Sequence, residues 1–312
     1  MSLEPAVAKI VDDYRTCEFV TLGRDGTPIA WPTVALRRDD DTFLVTTTLA
    51  FAQKALNIRR DGRVALLFSD PTGSGLEAPE QVFVSGTAVC PDEIVTPPSD
   101  DPAYWSLLFD RQPHSRSYVD PPARWLMDWY YLRLLITVVP TEVRIRAPLT
   151  ASPGDGGGTA NGSASLPGAD VLVGFPTAVL SARDPSGAPL LMRTPTTVTP
   201  EGFLVEPAPD CEVVSGPAAL LVHRHDDRLW GLYNALVPGE LRRSNGGGWL
   251  LVPQRVIVPS GNGSPRDQLR VLRTVRRSTT TYLRRHGLNR PRVDWPALKA
   301  LAERSASQDT GV

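Results

Sequence analysis

The sequence predicts a mostly β protein with short helices, made of two tandem copies of one β-rich unit and ending in a C-terminal helix. Three observations carry this. First, apolar and β-branched runs at residues 19–22, 29–36 and 43–48 are separated by turns at Arg24-Asp25-Gly26-Thr27-Pro28 and at 38–41, the pattern of an antiparallel meander. Second, the pattern returns later in the chain. Arg183-Asp184-Pro185-Ser186-Gly187-Ala188-Pro189 repeats the first turn, Phe203-Leu204-Val205 repeats Phe43-Leu44-Val45 at an offset of 160, and Ala218-Ala219-Leu220-Leu221 echoes Val64-Ala65-Leu66-Leu67. Third, residues 152–168 hold six glycines and almost no large apolar side chain, too little to bury a surface of their own. The expected division is therefore a first unit at 1–148, a linker at 149–168 and a degenerate second unit with the C-terminal helices at 169–312.

Helices are expected to be few. Residues 52–60 place Ala52, Ala55, Leu56 and Ile58 at roughly helical spacing between two strands. An aromatic-rich stretch at 125–135 runs into a strand at 134–146. The clearest helix spans 265–286, with Ser264 as cap, Pro265 at the first helical position, Asp267 three residues after the cap and Gly287 at the end. Its arginines, Arg266, Arg270, Arg273, Arg276, Arg277, Arg284 and Arg285, read as a solvated face.

Composition narrows the function. At 312 residues, 41% hydrophobic and 21% charged, with 33 basic against 34 acidic groups, the chain has no global field that would draw it to nucleic acid or an anionic membrane. No apolar run approaches the length of a membrane span, and the first 13 residues carry three acids rather than a basic segment followed by an apolar one. Cys17, Cys90 and Cys211 are odd in number and far apart, which suits a reducing cytoplasm. Only three of the basic residues are lysine: Lys9, Lys54 and Lys299. A lysine in mid-chain therefore invites a reason.

Around Lys54 the sequence runs Thr46-Thr47-Thr48-Leu49-Ala50-Phe51-Ala52-Gln53-Lys54. A strand ending in three hydroxyls, a turn, and a helix with a cation in its first turn can converge on a phosphate. The competing reading is a solvated lysine beside threonines chosen for the strand.

This stretch resembles the phosphate-binding segment of the pyridoxamine 5′-phosphate oxidase-like, FMN-binding split β-barrel superfamily. Two further matches follow the family's order: Glu80-Gln81-Val82-Phe83-Val84-Ser85-Gly86-Thr87-Ala88, and Asp25-Gly26-Thr27-Pro28 with Pro32-Thr33-Val34. The resemblance covers about residues 15–147 and implies tandem split β-barrels, with FMN in the first. It implies that Thr47, Thr48, Gln53 and Lys54 hold the phosphate and ribityl chain, that Gln81 lies near the ring system, and that Pro32, Thr33 and Val34 offer backbone groups to the ring edge. Gln53 stands where the family more usually has arginine, and Asp61-Gly62 replaces Asn-Pro.

In the second copy the matching segment is Glu206-Pro207-Ala208-Pro209-Asp210-Cys211-Glu212, whose acids would repel a phosphate. That half is expected to be empty and to act as a wall in an intrachain pseudo-dimer, further homodimerisation being left open. The implied function is an FMN-dependent oxidoreductase acting on a small organic substrate. The alternatives are a deazaflavin-dependent reductase and a non-catalytic flavin-binding, haem-binding or structural protein. His223 and His225 share one strand face but have no glutamate or cysteine partner nearby in sequence, so no metal is assigned. The aromatics Trp125, Trp129, Tyr130 and Tyr131 either line the cofactor mouth or pack a helix on the barrel. No nucleophile elbow, Walker loop or GxGxxG stands out, and no catalytic acid or base is named.

Overall fold

A computed structural model describes residues 2–95, 101–149, 166–244, 246–258 and 265–309. Most of the expected linker, and the expected cap Ser264, lie outside these residues.

The first half runs α1 (Pro5–Asp13), β1 (Cys17–Leu22), β2 (Pro28–Thr33), β3 (Ala35–Arg37), β4 (Phe43–Thr48), α2 (Gln53–Arg60), β5 (Arg63–Phe68), β6 (Gln81–Val89), α3 (Pro102–Arg111), α4 (Ala123–Tyr131) and β7 (Arg133–Arg146). Short 3-10 turns at Leu49–Phe51 and Pro113–Val119 join β4 to α2 and α3 to α4. The second half adds α5 (Ala169–Leu172), β8 (Thr177–Arg183), β9 (Pro189–Thr199), β10 (Gly202–Val205), β11 (Gly216–Arg224), β12 (Tyr233–Arg243), β13 (Trp249–Pro253), α6 (Pro265–Arg285) and α7 (Trp295–Asp309).

The two halves repeat one topology. The first sheet has the order β2-β1-β5-β6-β7-β4-β3, and the second closes as β10-β13-β12-β11-β8-β9. Taking β2 and β3 together as the counterpart of β9, every neighbour relation in one sheet recurs in the other. The repeated turn is the same device in both copies. Gly26 sits at φ +80° and Gly187 at φ +79°, and each amide bonds the carbonyl three residues back, Gly23 at 3.0 Å and Asp184 at 2.9 Å. Only glycine takes that conformation without strain. The two sheets differ in one strand: β9 is continuous, whereas the first half is interrupted between Thr33 and Ala35. That break falls beside the cavity described below.

β1 and β4 are buried along their whole length, because one face fills the barrel interior and the other is covered. Val20, Ala30, Ala65, Leu67 and Phe83 of the first half form one continuous core with the second barrel. The helices are more numerous than the stretches located from sequence: α1, α3, α5 and α7 join them. α6 and α7 follow the second barrel in sequence but pack on the first half. Tyr282 and Leu283 enter its core beside α2, and Leu298, Leu301 and Ala302 meet Trp105, Leu108 and Phe109 of α3. Among the described residues, no helix is long and apolar enough to cross a membrane.

Candidate functional site

A cavity of about 1220 Å³ opens where β2, the end of β4 and the start of α2 meet α6 and the second barrel. This exceeds the roughly 300–1,000 Å³ typical of small-molecule sites, so it can take a cofactor and a second small molecule together. Of the residues expected at the site, Thr33, Val34, Thr47, Thr48, Gln53 and Lys54 all line it.

Their side chains are not equally free. Thr47 Oγ1 donates to the Phe51 carbonyl at 2.8 Å and so shapes the turn into α2. Gln53 Nε2 donates to Asn57 Oδ1 at 2.7 Å, which turns its amide back along the helix. Thr48 Oγ1, by contrast, is buried without a hydrogen-bond partner. Lys54 is half-buried, its Nζ lies 5.6 Å from the centre of the Trp31 ring, and it forms no ion pair among the described residues. Burial, with Arg133 nearby, pushes its ammonium down to about 8. An unpartnered hydroxyl and an uncompensated cation at the mouth of a helix N-terminus fit the phosphate of a flavin.

Arg133 was not foreseen. At the start of β7 it pairs in register with Thr48, donates to Thr46 Oγ1 at 2.7 Å and to the Tyr130 carbonyl at 3.0 Å, and lies 4.5 Å from the centre of the Tyr130 ring. It is buried, has no carboxylate partner among the described residues, and lines the cavity. It supplies the second cation that Gln53 does not. Its signal was a single charge inside the apolar run Trp129-Tyr130-Tyr131-Leu132-Arg133-Leu134-Leu135-Ile136. From α6, Arg277 and Arg285 add exposed guanidinium groups to the rim, so this face is not simply solvated. Four Lys and Arg side chains line the cavity among the described residues, and no Asp or Glu does.

Gln81 is elsewhere. It begins β6 opposite Arg146, and its Nε2 donates to the Ala147 carbonyl at 3.3 Å, away from the cavity lining. The repeat explains this. Phe68 pairs with Val82 in the first half, and its counterpart Val222 pairs with Ala235 in the second, so Gln81 corresponds to Asn234. Gly86 and Gly239, each five residues further on, confirm the alignment: each faces a proline in register, Pro140 and Pro253. Asn234 does line the cavity, with Leu229, Leu232, Leu236 and Ile257 of the second half beside it. The two barrels face each other about a pseudo-twofold, and the amide that reaches this cavity comes from the other copy.

The counterpart cavity is replaced. Where the first half has α2 and Lys54, the second has the loop after β10, whose Asp210 pairs with Arg146 at 3.0 Å and whose Cys211 Sγ lies 2.9 Å from Arg146 Nη2. Of the aromatic cluster, Tyr130 lines the cavity, Tyr131 is core, and Trp125 is exposed.

Residues 3–122 match the family model described as pyridoxamine 5′-phosphate oxidase, well under half of the chain. With the sheet order above, the N-terminal half is a split barrel of the pyridoxamine 5′-phosphate oxidase-like superfamily. Among solved structures the chain is similar to an F420 reductase (23% identity, 46% of this chain and 98% of that one, TM-score 0.32). It is also similar to a conserved hypothetical protein of Mycobacterium tuberculosis, Rv2991 (22%, 48% and 88%, TM-score 0.32). A third is the haem storage protein HutZ of Vibrio cholerae (12%, 47% and 96%, TM-score 0.32). Likeness at this distance assigns no cofactor. No curated protein matches the chain.

Proposed function

We propose that the chain is a flavin-dependent oxidoreductase that binds FMN in the cavity between its two halves and acts on a small organic substrate. The observation that carries this is a cavity lined by Lys54, Arg133, Arg277 and Arg285, with no carboxylate among the described residues, beside the unpartnered Thr48 hydroxyl. Lys54 and Thr48 would hold the phosphate, and Arg133 would add charge from the next strand. Asn234 would offer its amide to the ring, with the backbone at Thr33 and Val34 on the opposite edge. Trp31, Leu229, Leu236 and Ile257 would cover the ring faces and keep water out. When bound, the flavin supplies hydride transfer at a ring nitrogen, and the protein supplies position and exclusion of solvent. Three buried cysteines, none of them in a disulfide, accord with a reducing cytoplasm.

A second reading has its own observation. Arg277 and Arg285 extend the positive surface beyond what one phosphate needs, which favours a deazaflavin with a longer anionic tail. The test is titration of the purified protein with FMN, a deazaflavin and haem, followed by visible absorption and desalting. Retained flavin supports the first reading, and selective retention of deazaflavin the second. Haem alone, or nothing, overturns both. Lys54→Ala should weaken flavin binding by about ten- to a hundred-fold, the worth of a charge-assisted contact. Asn234→Ala should weaken it or shift the bound spectrum, while Gln81→Ala leaves both unchanged.

A further inference from the structure

We propose that Asp70, His223 and His225 form a binding site for a divalent transition-metal ion, zinc being the simplest occupant, which ties the two halves together. The site is distinct from the flavin cavity. Asp70 follows β5 of the first half, whereas His223 lies in β11 of the second and His225 just after it. One ligand atom from each lies within 4.8 Å of the others.

The hydrogen bonds fix which atoms face inward. His223 Nε2 lies 2.7 Å from Glu18 Oε1 and, against a carboxylate that only accepts, it must donate. In the neutral ring this leaves Nδ1 as a bare lone pair, and Nδ1 is buried with no hydrogen-bond partner. His225 is held the same way: Nδ1 lies 2.9 Å from the Asp226 carbonyl oxygen, another pure acceptor, so Nε2 carries the lone pair, which accepts from the Thr16 hydroxyl. Both nitrogens lie close to the same oxygen, with His223 Nδ1 at 3.6 Å and His225 Nε2 at 3.9 Å from Asp70 Oδ2. The other Asp70 oxygen is engaged by the Thr72 amide at 3.1 Å and hydroxyl at 2.7 Å, which leaves Oδ2 free.

His223 Nδ1 and Asp70 Oδ2 face each other with no hydrogen between them, and two such acceptors repel unless a cation lies between them; His225 Nε2 adds a third donor atom once the Thr16 hydroxyl turns from it. The two distances to Asp70 Oδ2 are close to what such a cation requires: ligand atoms about 2.0–2.1 Å from a tetrahedral zinc stand roughly 3.4 Å apart. Holding each imidazole through its far nitrogen on a carboxylate or carbonyl is the way metal-ligating histidines are oriented. Two imidazoles and a carboxylate suit zinc, iron, cobalt or nickel rather than calcium or magnesium. The charges agree. Glu18 and Asp70 face Arg193, whose Nη2 bonds Glu18 Oε1 at 2.7 Å, so the cluster with neutral histidines is one negative charge in excess. Thr16 offers an entry path and a fourth ligand position: its hydroxyl lies 3.0 Å from His225 Nε2, and the residue also lines the large cavity.

The test is a titration of the chelator-treated full chain with Co²⁺ and Zn²⁺. Uptake of one Co²⁺ per chain with visible d–d bands, displaced by Zn²⁺ and accompanied by a rise in melting temperature, is expected. Asp70→Asn and His225→Gln should each weaken Co²⁺ binding at least tenfold. No uptake by the wild-type chain overturns the proposal whatever the variants do. Full-affinity uptake in both folded variants overturns the ligand assignment.

Discussion

Lys54 is the residue on which pH should act most directly. Burial pushes its ammonium down to about 8, so in the free protein it loses charge as pH rises through that value. A bound phosphate favours the charged form and raises the pKa again, which makes binding proton-linked above about 8. Flavin affinity should therefore fall as pH climbs above 8, by at most about tenfold per pH unit. It should also fall below about 6, where a phosphate ester takes up its second proton. The check is a set of FMN dissociation constants from pH 5 to 10, in which Lys54→Ala removes the upper limb and keeps the lower one. An upper limb that survives in the variant would assign the titration to another group. Lys54 could be read from sequence because lysine is rare in this chain and stood among hydroxyls at a strand end. Arg133 and Asn234 were hidden for different reasons. Arg133 reaches the site only through the β4–β7 pairing, about 80 residues away along the chain. Asn234 does so through a pseudo-twofold that puts the amide of one copy at the site of the other. The pairing of Gln81-Val82-Phe83-Val84-Ser85-Gly86 with Asn234-Ala235-Leu236-Val237-Pro238-Gly239 was nevertheless open to inspection.

At the scale of the element, β6–β7 and β12–β13 depend on glycines that face backbone rather than side chains. A Cβ on Gly86 would stand 2.4 Å from the Val139 carbonyl oxygen, and one on Gly239 would stand 2.2 Å from that of Val252. The register of β6 on β7 shifts between Ser85 and Gly86, so the strands are closest where the ladder is irregular. Neither carbonyl can swing aside without breaking strand pairing. Gly86→Ala should then cost about 1–3 kcal/mol or more of stability, the range for overpacking a well-filled site, and Gly239→Ala a similar amount. Urea unfolding monitored by tryptophan fluorescence would measure it, and a midpoint equal to wild type would show that the strands part freely. The strands and turns were legible because alternation and Asp-Gly chemistry are local. β4, for instance, spans the expected residues Phe43–Thr48. α3 and α7 were not called because each makes sense only against the other. Leu298, Leu301 and Ala302 form a helical stripe in a polar segment, and it meets Trp105, Leu108 and Phe109 almost 200 residues earlier.

For the whole molecule the decisive feature is the junction of the two halves, where a charge is buried in an apolar interface. Glu18 of β1 is fully buried and accepts from Arg193 of β9 at 2.7 Å, from His223 at 2.7 Å and from Ser69 at 2.9 Å. Burial alone would raise its carboxyl, but Arg193 and the His223 hydrogen bond hold it below the ordinary carboxylate range. In a sheet that otherwise packs Val20, Ala65 and Leu67 against the second barrel, such a pair contributes register more than net energy, since desolvation offsets much of the attraction. Apolar contact alone would let the barrels slide, whereas a carboxylate met by three donors fixes one position. Removing a single partner is another matter, because it strands the remaining charge. Glu18→Gln should destabilise the chain by about 3–5 kcal/mol, and Arg193→Met by a similar amount. The double variant should lose clearly less than the sum, because neither charge is then left alone. Urea midpoints for the four proteins, measured after chelator treatment so that no metal adds to the cycle, give the coupling directly. Additive losses would mean that Glu18 and Arg193 act independently, and would return the alignment of the two halves to the apolar surface and the Asp210–Arg146 pair.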